Sequence, residues 1–320
     1  MSKRTSEENH KYSFTGETLE FEGHTLYRIK RISDLKVGGW IESEANLAFE
    51  DDCFVYDEAK VFENARVCGN AEVFNNACVR GYAEIGGDAA IEENAEISGL
   101  AMVNGYASVE GNAVVTDNAT IAKDAKVTDT AVIKDAAYIT GFAKIFEQAV
   151  IGGEALIDGS AHVFEWACVT DHAHITESAE IFGWAQIFEK ATVRGRVKVA
   201  DHAHVFGNAS LHDRAGVGGQ AQIFGNARIS EDADIKGDAR VYGKARVEGH
   251  AELSGLAYVF DDAMINSQAV VSNNACIYQH AFVTDQAQVK DNAKVYGDAR
   301  VGGRTIVDGI QRICGSMELS

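Results

Sequence analysis

There is no proline anywhere in the 320 residues. Proline lacks a backbone donor, so its absence fits a fold in which nearly every N–H is committed to a ladder. No apolar run approaches the length of a membrane span. The opening Met1-Ser2-Lys3-Arg4-Thr5-Ser6-Glu7-Glu8 has no apolar stretch of the kind a secretory signal needs. A cytoplasmic protein is expected, with no membrane contact. Cysteine is sparse: Cys53, Cys68, Cys78, Cys168, Cys276 and Cys314 lack CxxC spacing, which suits a reducing compartment. Positive charge is in deficit, with 29 Lys and Arg against 48 Asp and Glu and a net charge of -19. Nucleic-acid affinity comes largely from Lys and Arg displacing counterions, so direct nucleic-acid binding is not expected. The charge fits either a basic partner protein or self-repulsion that keeps an elongated body in solution.

What the chain does contain is one six-residue phrase, repeated. Written from an alanine it is Ala-x-(Val/Ile)-x-(Gly/Asp/Glu)-x, as in Ala65-Arg66-Val67-Cys68-Gly69-Asn70. From 53 to 316 there are 264 residues, and 264/6 gives 44 phrases without insertion or deletion. The third position is Val, Ile or Leu throughout, and the first is Ala except at Cys53, Val197, Thr305 and Gln311. Two inward positions separated by one outward position is strand alternation and does not match a helical period. The fifth position is Gly in 22 phrases, Asp in 10 and Glu in 7, marking a corner after each short strand.

The aromatic residues set the number of phrases per turn. Phe188, Phe206, Phe224, Tyr242, Phe260, Tyr278 and Tyr296 are each 18 residues apart at the fourth position, and Phe146, Phe164 and Phe182 repeat the spacing in a second register with Tyr56 and Phe74. Eighteen residues therefore return the chain to the same place, which gives three strands per coil, a triangular cross-section and about 14 to 15 coils. With strands about 4.8 Å apart, such a rod would measure roughly 70 Å. Before the repeat, Tyr12-Ser13-Phe14, Leu19-Glu20-Phe21 and Leu26-Tyr27-Arg28-Ile29 alternate, with Glu22-Gly23-His24 as a turn. The expected organisation is a disordered tail at 1–12, a small N-terminal β cap at 13–52, the repeat at 53–316 and a C-terminal tail at 317–320.

An aliphatic residue followed four later by a small one (Val67 to Ala71, Ile145 to Ala149) resembles the hexapeptide-repeat proteins. The resemblance implies an all-β, single-stranded left-handed parallel β-helix, although the usual crossover rule favours the right hand. A closer resemblance is to YdcK-type bacterial and phage β-solenoids. It rests on Gly38-Gly39-Trp40-Ile41, Asn46-Leu47 and Asp52-Cys53-Phe54-Val55-Tyr56-Asp57-Glu58. That group implies no established activity. The superfamily's trimeric acyltransferases use acetyl-CoA or acyl carrier protein. They carry a projecting loop, a histidine near a subunit interface and often a C-terminal helical segment. The unbroken phrase count leaves no room for such a loop.

Chemistry-bearing residues are few. Asp171-His172-Ala173-His174 and Asp201-His202-Ala203-His204 look like metal half-sites, yet positions modulo 18 put the first pair at 10 and 12 and the second at 4 and 6. They fall on different edges, so four ligands do not converge in one subunit and neither metal nor cofactor is expected. Two fourth-position aromatic columns stand out, with Trp166, Trp184 and His202 forming a third at the corner beside Phe164 and Phe182. Stacked rings stabilise a ladder without any partner. A run of seven also makes an apolar stripe of the kind that marks an interface. Near the end, Arg304, Thr305, Gln311 and Arg312 break the alanine pattern with polar groups that discourage edge-to-edge growth.

The sequence therefore favours a non-catalytic acidic scaffold or protein-recognition surface that forms a discrete homodimer or homotrimer. A hexapeptide-class acyltransferase with an inter-subunit site is the alternative. A third reading is an acidic nucleic-acid mimic, a phage-type inhibitor of a basic host protein.

Overall fold

The structure is a computed structural model that describes residues 11–320. The tail expected at 1–12 lies outside them except for its last two residues, and Tyr12 is buried as the first residue of a strand. The fold is an all-β parallel solenoid with 18 residues per coil, and two compact units are distinguished, Met1–Phe146 and Glu147–Ser320. Among the described residues no helix is long and apolar enough to cross a membrane.

In the first unit, β1 (Tyr12–Phe21) and β2 (His24–Arg31) form an antiparallel hairpin. Glu22 and Gly23 turn it with φ of 50° and 87°, as a two-residue hairpin loop requires. Strand β3 (Val37–Ile41) pairs antiparallel with β2, then parallel with the repeat strand Lys60–Val61, which carries the cap onto the first coil. The entry motif is explained by this docking. A β-carbon on Gly38 would lie 2.6 Å from the Val55 carbonyl oxygen, and one on Gly39 would lie 2.5 Å from that of Ala59. Trp40 donates its indole N–H to Glu58 at 2.9 Å and lies under the Arg28 guanidinium at 4.9 Å. Buried Asn46 donates to the carbonyls of Glu63 and Ala65.

The repeat behaves alike in both units. In each phrase the second and third residues form the strand and the fifth and sixth make the turn; the first and third are buried in every phrase before Thr305. Burying each Val or Ile contributes about 1.5–3 kcal/mol, and alanine is small enough to line the interior beside it. Successive coils pair in parallel register, Ala90 with Ser108 and Ile91 with Val109 in the first unit, Arg246 with Met264 and Val247 with Ile265 in the second. In chain order, face one begins at Phe54, face two at Lys60 and face three at Arg66. The repeat also runs past the expected boundary at 316. Glu318–Leu319 is a strand paired with Arg300–Val301, because the residues following the last turn still have a ladder to extend.

All 44 fifth positions have left-handed backbone, half of them at residues other than glycine. Such a conformation costs a β-carbon-bearing residue about 1–2 kcal/mol. The structure shows what offsets it. The fifth side chain accepts a hydrogen bond from the backbone N–H of the fifth residue one coil later: Asp57 from Asn75 at 3.2 Å, Glu63 from Gly81 at 2.7 Å, Asp171 from Glu189 at 3.0 Å, Asp285 from Gly303 at 2.8 Å. At least ten of the seventeen corner carboxylates do this. The cap begins the series, with Glu42 accepting from the Glu63 N–H at 2.6 Å and Asp51 from Gly69 at 2.8 Å.

Asp171→Ala removes the acceptor for the Glu189 amide and leaves a β-carbon at a positive φ. Hydrogen exchange at that amide is expected to speed up about tenfold, while Asp171→Asn, which keeps an acceptor, stays near wild type. Asp213 adds a pH dependence. The Glu231 N–H, and after it His212, hold its carboxyl below the ordinary value of 3.8. A depressed carboxyl contributes stability that is complete above that value and is lost as the pH falls through the folded one. Protection of the Glu231 amide should therefore persist down to pH 5 and fade below about pH 4, and Asp213→Asn should flatten that profile.

Candidate functional site: stacked aromatic columns

A parallel in-register ladder places equivalent side chains about 4.8 Å apart, within the roughly 4.5–7 Å centroid separation of offset-stacked rings. Rings at the same phrase position therefore stack. In the first unit Tyr56 and Phe74 lie 4.7 Å apart and 8° from parallel on face one. Phe146, also of the first unit, is half-buried at the same phrase position. In the second unit Phe164 and Phe182 stack at 5.1 Å. On face two, Phe188, Phe206, Phe224, Tyr242, Phe260, Tyr278 and Tyr296 form one column with centroids 4.8–5.1 Å apart and planes within 8°. At the neighbouring corner, Trp166, Trp184 and His202 stack at 4.8 and 5.0 Å.

Apart from Tyr56 and Phe62, which are buried beneath the cap, the fourth-position rings are half-buried, where the alternation rule places them outward on an open face. Each ring face is covered by the next ring, and the fourth residue already turns toward the corner. What reaches solvent is the ring edges. The corner tryptophans are more open, Trp166 and Trp184 being 50% and 49% exposed. Sixth-position aromatics that the sequence reading passed over are more exposed still: Tyr82, Tyr106 and Phe142 in the first unit are 65%, 69% and 63% exposed. Their signal was in the register, since Tyr106 and Phe142 are two coils apart at one corner.

The histidines are dispersed. His174 belongs to face three, paired with Leu156 and Thr192, and His204 belongs to face two, paired with Gln186 and Gln222. His202 is held in the tryptophan stack, and His172 lies at a corner with Nδ1 3.2 Å from the Glu154 carboxylate. That corner is a shallow groove of about 580 Å³ lined by Glu154, Asp171, His172, Glu189 and Lys190. Among the described residues no three His, Cys, Asp or Glu side chains are grouped to hold a metal. None of the six cysteines is in a disulfide. Burial pushes the thiols of Cys53, Cys68 and Cys276 up and that of Cys78 up to about 11, the opposite of a nucleophile's tuning.

The corner bonds give the acidity a structural cause. Removing the 17 fifth-position carboxylates leaves 48 - 17 = 31 acids against 29 basic residues, an excess of two.

No family model matches the chain, and no curated protein matches it. A solved structure of the Francisella novicida UDP-N-acetylglucosamine acyltransferase is similar at 19% identity, covering 59% of this chain and 66% of that enzyme's, with a TM-score of 0.20. The chain thus spans just under two thirds of that enzyme's length. The assignment of the repeat rests on the coils themselves.

Phe224 stacks on Phe206 and on Tyr242, so Phe224→Ala breaks two ring contacts. Each contact contributes about 0.5–1.5 kcal/mol beyond area burial, and the variant is expected to lose about 1–3 kcal/mol of stability in denaturant titration.

Proposed function

We propose that the chain is a non-catalytic β-solenoid of the YdcK-type bacterial and phage group, acting in the cytoplasm as a rigid protein-recognition scaffold that self-associates through its aromatic columns. The observation that carries this reading is the composition of face two in the second unit. Its second and fourth phrase positions from Val150 to Cys314 number twenty. They hold the seven stacked rings and Tyr258, but no Asp or Glu, in a chain with 48 acids. An aromatic surface cleared of carboxylates has the composition of an interface core. A homodimer or homotrimer is the simplest assembly that brings two such faces or edges together. The group assignment is supported by the entry motif, whose glycines, tryptophan and asparagine all act in seating the cap.

One observation favours the acyltransferase reading as second choice. His172 beside Glu154 is an imidazole with a carboxylate on one nitrogen, an arrangement suited to a general base. Its groove has no second wall from its own unit's coils, so a site there would need another subunit. Saturable acetyl-CoA binding that is lost in His172→Ala would establish that reading over the first. The nucleic-acid mimic loses its main support, because the carboxylates that produce the net charge are placed for the corners.

Solution mass measurement tests the scaffold reading. The wild type is expected to be a discrete dimer or trimer, and Phe206→Ser/Phe224→Ser/Tyr242→Ser a monomer. Gln222→Glu leaves every ring in place and puts a carboxylate on the same face, and should also dissociate the assembly. A wild type that is monomeric at micromolar concentration would rule out association through this face.

A further inference from the structure

Face three of the second unit carries a like-charge pair in which neither member is paired with a carboxylate. Arg228 and Arg246 occupy the second position of consecutive coils, are direct partners in the parallel ladder, and are both exposed. Like charges set opposite each other across a ladder are unfavourable. Among the described residues neither guanidinium has a hydrogen-bond or ion-pair partner. More positive charge surrounds them. Arg194 is exposed at the fourth position of the same face, and Arg196 and Arg214 stand at the corner that follows it. Six of the chain's fourteen arginines fall between 194 and 246, five of them on this face or corner.

The nearby carboxylates are committed elsewhere or sit to one side. Asp213 accepts the Glu231 N–H at 3.1 Å and contacts His212, and Asp232 takes Arg214 at 2.6 Å. Glu248 follows Arg246 on the face without pairing with it. The other neighbours are donors or apolar. Ser210 precedes Arg228 in the ladder, Met264 follows Arg246, and Ser230 is buried beside Arg228 in the next fourth position.

We propose that Arg228 and Arg246 bind the dianionic phosphoryl group of a small phosphorylated molecule. Each guanidinium presents a planar fork of N–H donors, and two forks one coil apart can grip the oxygens of a single phosphate or of two linked ones. The Ser210 hydroxyl offers a further donor from the adjoining coil. Bound anion removes the repulsion that the empty pair carries. The basic track is short, ended by Met264 on one side and by Ser210 and Thr192 on the other. That limits the ligand to one or two phosphoryl groups, since a nucleic-acid strand needs charge along many coils. The site is on a different face from the aromatic columns and does not depend on self-association.

Calorimetric titration of the full chain with inorganic phosphate and with pyrophosphate tests the assignment, using Arg228→Gln/Arg246→Gln and, as a control in the first unit, Arg66→Gln. All three positions are exposed, so the interior is untouched. Wild type and Arg66→Gln should bind pyrophosphate with like affinity, and the double variant at least tenfold more weakly. Without ligand and at low ionic strength, the double variant should melt at or above the wild-type temperature, because it loses a repulsive pair. A purely structural role for the arginines predicts a lower melting temperature instead. Equal affinity in wild type and double variant overturns the proposal. So does binding confined to a single-stranded oligonucleotide, with none to phosphate or pyrophosphate.

Discussion

The constraint on which the rest depends is the corner. Turning the chain every six residues forces one residue per phrase into the left-handed region and leaves its N–H directed along the axis toward the preceding coil. Two solutions are used. Glycine takes the conformation without strain and lets the coils close so tightly that a β-carbon on Gly195 would lie 2.5 Å from the Asp213 carbonyl oxygen. Aspartate or glutamate accepts the strain and supplies an oxygen to the next coil's N–H. Proline fits neither, since its φ is fixed near -65° and it has no donor. Its absence and the excess of acids thus have one cause.

Much of this architecture was legible before any coordinates. The buried first and third positions hold almost only Ala and then Val, Ile or Leu, so a period of six is written into the chain, and the aromatics, repeating every eighteen, show three strands per coil. The hairpin turn at Glu22-Gly23 was equally plain. The function of the corner acids was not. Asp57 and Asn75 could be placed in one column by counting, but the direction of a backbone N–H is set by φ, which no residue count reveals. The last strand was missed for a related reason. Met317-Glu318-Leu319-Ser320 lacks the alanine that marks a phrase, yet its backbone still meets a waiting ladder at Arg300–Val301.

The aromatic columns show how placement can be read correctly and exposure misread. Counting put seven rings in line, and alternation pointed them outward. The in-register spacing, however, lets each ring cover its neighbour, so most of the apolar surface is buried within the column and contributes to stability whether or not a partner is present. Stacking explains why the rings follow one another. It does not explain why the strand positions beside them hold no carboxylate, because a ladder tolerates Glu96 on the same face in the first unit and Glu180 on face one in the second. The missing acids, more than the rings, distinguish face two.

The same reasoning changes what the net charge means. A total of -19 suggests an acidic body seeking basic partners, but nearly all of the excess is at corners, where at least ten of the seventeen carboxylates accept a neighbouring backbone N–H. Away from the corners the two signs almost balance, so the local arrangement of charge decides which partners each face can take. Face two is cleared of acids around a column of rings. Face three instead sets two arginines side by side with no carboxylate paired to either. A solenoid's interior is dictated by its repeat, whereas its outward second positions are free to vary. An unfavourable pair kept at such free positions therefore calls for a ligand that makes it favourable.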